Sequence, residues 1–156
     1  MTITVAERSR LLMPGMANFE PGVERYRVTG GAVTAVLMGA GDRLEIIDPE
    51  GCQPVEVAAF DRDGKSDPGL LGHSSGAPAT GIAAILASNQ HDASRVADAL
   101  ALRGIDLGAT TAIHCFSQDS APAETIWMTA SADVVCVIGV PGGDMSPEEQ
   151  NTPTDV

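Results

Sequence analysis

The residues best suited to chemistry crowd one turn between two apolar runs. Positions 48–56 read DPEGCQPVE, so carboxylates, an amide and a thiol lie close together in the chain. Carboxylates serve as general bases and metal ligands, and a thiolate is a nucleophile or a soft ligand. Turn chemistry accounts for the Asp-Pro and the Gly, but it does not require Gln53 or Glu56. The candidates for lining a pocket or an interface are therefore Asp48, Glu50, Gln53 and Glu56.

Three cysteines and three histidines raise the question of a metal site. No C-x-x-C or H-x-x-x-H spacing is present, so the fold would have to assemble any such site. His114 and Cys115 are neighbours in a predicted strand and should face opposite sides. Cys136 lies in an apolar run, where a cysteine usually behaves as a small hydrophobic residue. The set that remains open for a zinc ion is Cys52, His114 and Cys115.

Two stretches resemble familiar sequence motifs but lack the surrounding residues that those motifs require. Residues 72–76, GHSSG, match the G-x-S-x-G nucleophile elbow, which needs a buried strand before the serine and a helix directly after it. The preceding DRDGKSDPGLL makes a poor strand and Pro78 follows closely, so a surface loop is expected instead. Gly39 and Gly41 lack the rest of a dinucleotide loop, and no phosphate-binding G-x-x-x-x-G-K-[ST] is present.

Composition narrows the class of protein. The 156 residues suffice for one domain with a real core, and a net charge of -12 argues against nucleic acid or an anionic membrane surface as a partner. No run approaches the length of a membrane span, and the N-terminus lacks the layout of a signal peptide. An odd number of widely spaced cysteines fits a reducing compartment. These features predict a cytoplasmic protein.

The chain pattern predicts one β-rich domain over residues 23–140. An irregular lead-in precedes it at 1–22, and an acidic polar tail follows at 141–156. In the first half, short β-prone runs alternate with Gly-rich joints, which is typical of a β-meander, and a polar loop follows at 61–78. The predicted strands of this half are 23–29, 32–38, 43–47 and 54–60.

The second half mixes helical and β patterns. Helices are predicted at 79–88 and 92–105, with Asp92 as the N-cap of the second and Gly104 where it should stop. Strands follow, and the last is a continuous apolar run typical of a strand buried on both faces. The fold class is therefore mainly β (α+β), an antiparallel β-sandwich or barrel-like meander with a short two-helix insertion around 79–104. The strands of this half are 110–116, 125–130 and 133–140.

Two stretches resemble the urea-carboxylase-associated proteins, a family of small bacterial domains. They are AGDRLEIIDPEGCQPVEVAAFDRDG at 40–64 and ADVVCVIGVPGGDMSPEEQNTPT at 132–154, about a third of the chain. The resemblance implies one of two settings. Some members look like zinc-dependent hydrolases of carboxylated guanidine with cysteine ligands. Others lie beside, or are fused to, glycine-cleavage T-protein-like modules that bind tetrahydrofolate and accept one-carbon units from methylated amines.

The sequence departs from the hydrolase pattern of this family. Val140 stands before Pro141 where a family cysteine would lie, and Glu56 replaces the second Asp of the turn motif. Losing a thiolate removes charge and affinity from a zinc centre. A degenerate member of the family would be a non-catalytic accessory subunit in one-carbon metabolism. Its partner would be a tetrahydrofolate-dependent, T-protein-like aminomethyltransferase or methylamine demethylase, in a hetero-oligomer with no cofactor in this chain.

Two alternatives remain open. One is a zinc-dependent C–N hydrolase subunit acting on carboxylated guanidine or urea-like compounds. Its ligands would be Cys52, His114 or Cys115, and its general base Glu50 or Glu56. The other is a small-molecule sensor that uses the polar groups around Gln53 without chemistry.

Overall fold

A computed structural model of the chain describes residues 22–88 and 91–142. Short strands dominate this part, and two helices and two 3₁₀ turns, at Pro68–Leu71 and Leu107–Ala109, complete it. The predicted mainly β, α+β class is confirmed. The elements are β1 (Val33–Met38), β2 (Arg43–Asp48), β3 (Val55–Phe60), β4 (Ala77–Pro78), α1 (Thr80–Ala87), α2 (His91–Leu102), β5 (Thr111–Cys115), β6 (Glu124–Thr129) and β7 (Val134–Gly139).

All strand pairs are antiparallel and form two sheets. The large sheet has the order β1-β7-β3-β5-β4, and the small sheet pairs β2 with β6. The meander expected in the first half is therefore not formed, because β1, β2 and β3 pair with later strands and not with one another. The apolar run of β7 explains the difference, since a strand that is apolar on both faces belongs between two neighbours.

The strand predicted at 23–29 is absent. This segment is irregular, and its side chains are exposed except at Val28, which is buried. The pattern VERYRVT has β-prone residues but no apolar face to bury, so propensity alone does not recruit it to a sheet. The polar segment 61–78 is mostly loop as expected, but it also contains the first 3₁₀ turn and β4.

Helix α2 ends as predicted but begins differently. Gly104 has φ of +71°, its N–H bonds the Ala101 carbonyl, and the Ile105 N–H bonds the Leu100 carbonyl. This is the Schellman ending that a glycine permits. The prediction of Asp92 as N-cap is wrong, because the helix already includes His91 and Asp92 lies in its first turn. A carboxylate in the first turn still interacts favourably with the helix dipole, so Asp92 stabilises the start of the helix without being its N-cap.

Two layers of apolar side chains cover the large sheet. All six residues of β3 are buried. Val55, Val57 and Ala59 face the small sheet, and Ala58 and Phe60 face the helices, as the alternation predicts. Burying a side chain such as Phe60 stabilises the fold by roughly 2 kcal/mol. The large sheet is thus the middle layer, with the β2–β6 pair on one side and α1 and α2 on the other.

The predicted lead-in and tail fall mostly outside the described residues. Gly22 is the part of the lead-in that the structure describes, and Pro141 and Gly142 are the corresponding part of the tail. Neither helix in the described ranges has the length and apolar character needed to cross a membrane.

Candidate functional site

Asp48 closes the turn that follows β2. Its side chain is fully buried. Oδ1 accepts the Gly51 N–H at 2.9 Å, and Oδ2 accepts the Gln53 N–H at 3.2 Å. The Ser120 hydroxyl also lies 3.1 Å from Oδ2. A buried carboxylate is tolerated when donors surround it in this way, so Asp48 acts as the anchor of the turn.

Ser120 is the unexpected partner in this turn. The Cys52 N–H lies 2.8 Å from the Ser120 hydroxyl oxygen and 3.0 Å from its carbonyl. Gly51 approaches so closely that a Cβ there would lie 2.7 Å from that carbonyl. The Cys52 thiol itself is exposed. No local pattern identifies Ser120, because it lies 72 positions from Asp48 in the chain.

Glu56 holds the N-terminus of α1. The residue is only 4% exposed, yet its carboxylate has two amide donors. Oε1 accepts the Gly81 N–H at 3.1 Å, and Oε2 accepts the Ile82 N–H at 2.8 Å. Helix α1 has Ala79 at its N-cap, which makes no side-chain cap. Glu56 therefore supplies from β3 the acceptors and the negative charge that the first turn of a helix needs.

Two glycines let α1 sit close enough for this contact. A Cβ on Gly81 would lie 2.9 Å from Oε1 of Glu56, and 2.8 Å from Cγ of Pro141. A Cβ on Gly139, which pairs with Glu56, would lie 2.7 Å from Cγ1 of Ile82. Any side chain at these two positions would lift the helix from the sheet.

The fold brings Glu56 and His114 together. They are partners across β3 and β5, and Nδ1 of His114 lies 3.9 Å from Oε1 of Glu56. The imidazole is about half exposed, whereas the carboxylate is buried. Such a pair can orient a general base, but this distance is too long for a hydrogen bond and both carboxylate oxygens already accept helix amides. The arrangement fits an anchor for α1 better than a catalytic base.

The alternative zinc ligands are not assembled. Cys115 points into the core while its neighbour His114 points outward, so the two cannot share a metal. Burial raises the pKa of the Cys115 thiol and of the Cys136 thiol to about 12. Across residues 22–88 and 91–142, no group of three His, Cys, Asp or Glu is positioned to hold a metal ion. Of the other candidates, Glu50 is exposed and Gln53 is half-buried.

Comparison with known proteins links the chain to one much longer enzyme. The chain is 35% identical over 147 residues to a trimethylamine-oxide aldolase of Ruegeria pomeroyi. The matched region is 94% of this chain but 18% of that protein, so the chain spans less than a fifth of the length of this curated relative. No protein-family model and no solved structure matches the chain.

Proposed function

We propose that this chain is a non-catalytic accessory domain in the tetrahydrofolate-dependent demethylation of a methylated amine. The observation that carries the proposal is its 35% identity, over 94% of its length, to one segment of a trimethylamine-oxide aldolase. Four-fifths of that relative has no counterpart here. The chain therefore corresponds to one segment of a longer enzyme, and in this proposal the catalytic chemistry lies outside that segment.

The proposed cleavage of the methylated amine needs no external oxidant. Aldolase-type cleavage of trimethylamine N-oxide gives dimethylamine and formaldehyde, and these two products contain all the atoms and electrons of the substrate. A tetrahydrofolate bound by the partner would supply the amine nitrogens that take up the formaldehyde, with release of one water molecule. The resemblance to urea-carboxylase-associated proteins implies a T-protein-like subunit that binds this cofactor, and the cofactor supplies the one-carbon chemistry.

The state of the candidate side chains supports an accessory role. Asp48 has two backbone donors and lies next to a hydroxyl, and Glu56 has two backbone donors. Neither carboxylate can accept a substrate proton without loosening a turn or α1. The thiols of Cys115 and Cys136 are buried and remain protonated at neutral pH. These groups stabilise the fold instead of acting on a substrate.

The proposal is tested by isolating the chain from its own host without chelators and recording native mass spectra. We expect a complex with a larger subunit that binds tetrahydrofolate. That complex should release dimethylamine and formaldehyde from trimethylamine N-oxide, while the purified chain alone should not. Turnover by the isolated chain, or a homo-oligomer with no second subunit, would refute the accessory role.

Cys52 offers a matched control, because its thiol is exposed and is the one thiol available for nucleophilic chemistry in the described residues. A Cys52→Ser chain should form the same complex and sustain the same rate. If this variant assembles but the rate collapses, the enzymatic alternative gains and the accessory role is wrong.

A further inference from the structure

An open cleft lies at the end of the helix-facing side of the large sheet. It is found where β1 and β3 end and β7 begins, and its volume is about 610 Å³. Arg103 and Ile105, which follow α2, line one wall, and the turn after β3 lines the other. The lining residues used below are Leu37, Asp61, Arg62, Arg103, Asp133 and Val135.

The floor of the cleft is apolar and partly uncovered. Leu37 pairs with Val135 across β1 and β7, so both side chains lie on the same face of the sheet. Leu37 is 66% exposed and Val135 is half-buried. An apolar floor that is left open to solvent is typical of an interaction surface.

The charges around the cleft leave one cation unmatched. Arg62 lies 2.9 Å from Asp133, whose other oxygen accepts the Ala40 N–H. Asp61 accepts the backbone N–H groups of its own turn. Arg103 is exposed and has no carboxylate partner within the part of the chain that the structure describes. A carboxylate arriving at the cleft would therefore find a free guanidinium, which binds such groups in a bidentate manner.

The strand beside the cleft can also receive a backbone. β1 is the outermost strand of the large sheet, with β7 as its neighbour on one side and no strand on the other among the described residues. The outer edge of such a strand presents N–H and C=O groups that an extended segment can pair with.

We propose that the β1 edge and this cleft are the surface on which the larger partner subunit docks. The occupant is an extended segment of that subunit, with an apolar side chain against Leu37 and Val135 and a carboxylate on Arg103. This inference rests on the proposed function, because the partner is the folate-binding subunit proposed there. Charge complementarity selects the carboxylate, and the open β1 edge selects an extended protein segment over a small molecule.

The test reconstitutes the complex from the purified chain and the purified folate-binding subunit, and measures the dissociation constant by calorimetry. Leu37→Asp and Arg103→Glu should each weaken binding about tenfold or more, as expected for a central contact. Two matched controls lie outside the cleft. Arg95→Glu reverses an exposed charge on α2, which ends just before Arg103, and Trp127→Ala removes a half-exposed aromatic side chain from the small sheet. Both controls should bind like the wild-type chain.

The outcomes separate this inference from the proposed function. If the wild-type chain forms no complex, both fail. If the complex forms and the cleft variants bind as tightly as wild type, the docking surface is wrong while the accessory role stands. A third experiment titrates the chain with hexanoate and follows the NMR signals of the Leu37 and Arg103 amides. These signals could shift and saturate at hexanoate concentrations that do not dissociate the complex. This result would make the cleft a small-carboxylate site and also overturn the inference.

Discussion

The two ends of the helix-facing side of the large sheet are built in opposite ways. At the end where β3 begins, Glu56 is buried and both its oxygens hold α1, and Gly139 leaves room for Ile82. At the other end, Leu37 is largely exposed and charged side chains stand in solvent around an open cleft. We call these the sealed end and the open end.

The difference indicates that contacts at the sealed end stabilise the fold, whereas the open end leaves surface available for binding. A buried charge is compatible with the sealed end only because two amides and a helix N-terminus surround it. At the open end, an ion pair between side chains that are 84% and 57% exposed contributes little to stability. Substitutions at the sealed end should therefore affect folding, and substitutions at the open end should affect binding.

The largest effect of a single substitution is expected from Glu56→Ala. Removing the carboxylate leaves two buried N–H groups without acceptors, so the free energy of unfolding should fall by about 3 kcal/mol. Leu37→Asp at the open end should change it by less than about 0.5 kcal/mol. Urea unfolding of both variants at pH 7 checks the contrast. Equal stability of Glu56→Ala and wild type would show that α1 does not depend on this carboxylate.

A second effect should appear at alkaline pH on the other face of the sheet. Burial raises the pKa of the Cys115 and Cys136 thiols from 9.0 to about 12. Because the folded pKa lies above the unfolded one, this stabilisation is complete below pH 9 and is lost as pH rises toward 12. Stability should fall by about 2 kcal/mol per thiol between roughly pH 9 and pH 11.

The matching variant carries Cys115→Ala and Cys136→Ala together. Urea midpoints followed across the alkaline range should decline less steeply in this variant than in the wild-type chain. A decline of the same slope in both proteins would mean that the two thiols are not the groups responsible.

Adding one methyl group at a glycine tests the same contrast between the sealed end and the open end. Gly139→Ala would bring Cβ to 2.7 Å from Ile82, whereas Gly39→Ala at the open end meets nothing closer than 3.5 Å. Overpacking should make Gly139→Ala less stable by about 1 to 3 kcal/mol. Gly39→Ala should be close to neutral. Thermal unfolding of the pair is the measurement, and a neutral Gly139→Ala would show that α1 shifts freely on the sheet.

The smallest effect concerns Asp133 at the open end. Hydrogen bonds from Arg62 and from the Ala40 N–H, with the charge of Arg62, lower the pKa of its carboxyl. Because the folded pKa is lowered, the associated stability is present above the ordinary carboxyl pKa and is lost as pH falls through the folded value. NMR titration should show this pKa rising toward its ordinary value in Arg62→Gln. Arg95→Gln should leave it unchanged, and a shift of equal size in both variants would contradict a specific pair.

Local patterns in the sequence predict elements whose burial follows their own periodicity. The alternation in β3 assigns its two faces, and the apolar run of β7 assigns it an interior place in a sheet. Residues 23–29 show the limit of such patterns, because β-prone residues there have no apolar face and find no sheet neighbour. Asp92 shows a smaller limit, since helix ends shift by a residue or two.

The properties of the candidate site depend on contacts that no local pattern contains. In the sequence, Glu56 looks like a general base. In the structure, amide N–H groups of α1, which begins 24 positions later in the chain, donate to both of its carboxylate oxygens. Leu37 lies in the apolar run VTAVLM and looks like a core residue in the sequence, whereas the structure leaves it and Ala35, on the same face, exposed. Arg103 is a typical residue for a helix C-terminus, which hides its place in the cleft.

The strand order has a consequence for how the chain is made. Within residues 22–88 and 91–142, β1, β2 and β3 pair only with β5, β6 and β7, so neither of the two described sheets can form until residues beyond 110 have left the ribosome. Until then the apolar strand VEVAAF has no neighbour. Folding is therefore dominated by contacts of high sequence separation, which makes it slow and leaves the nascent chain open to aggregation.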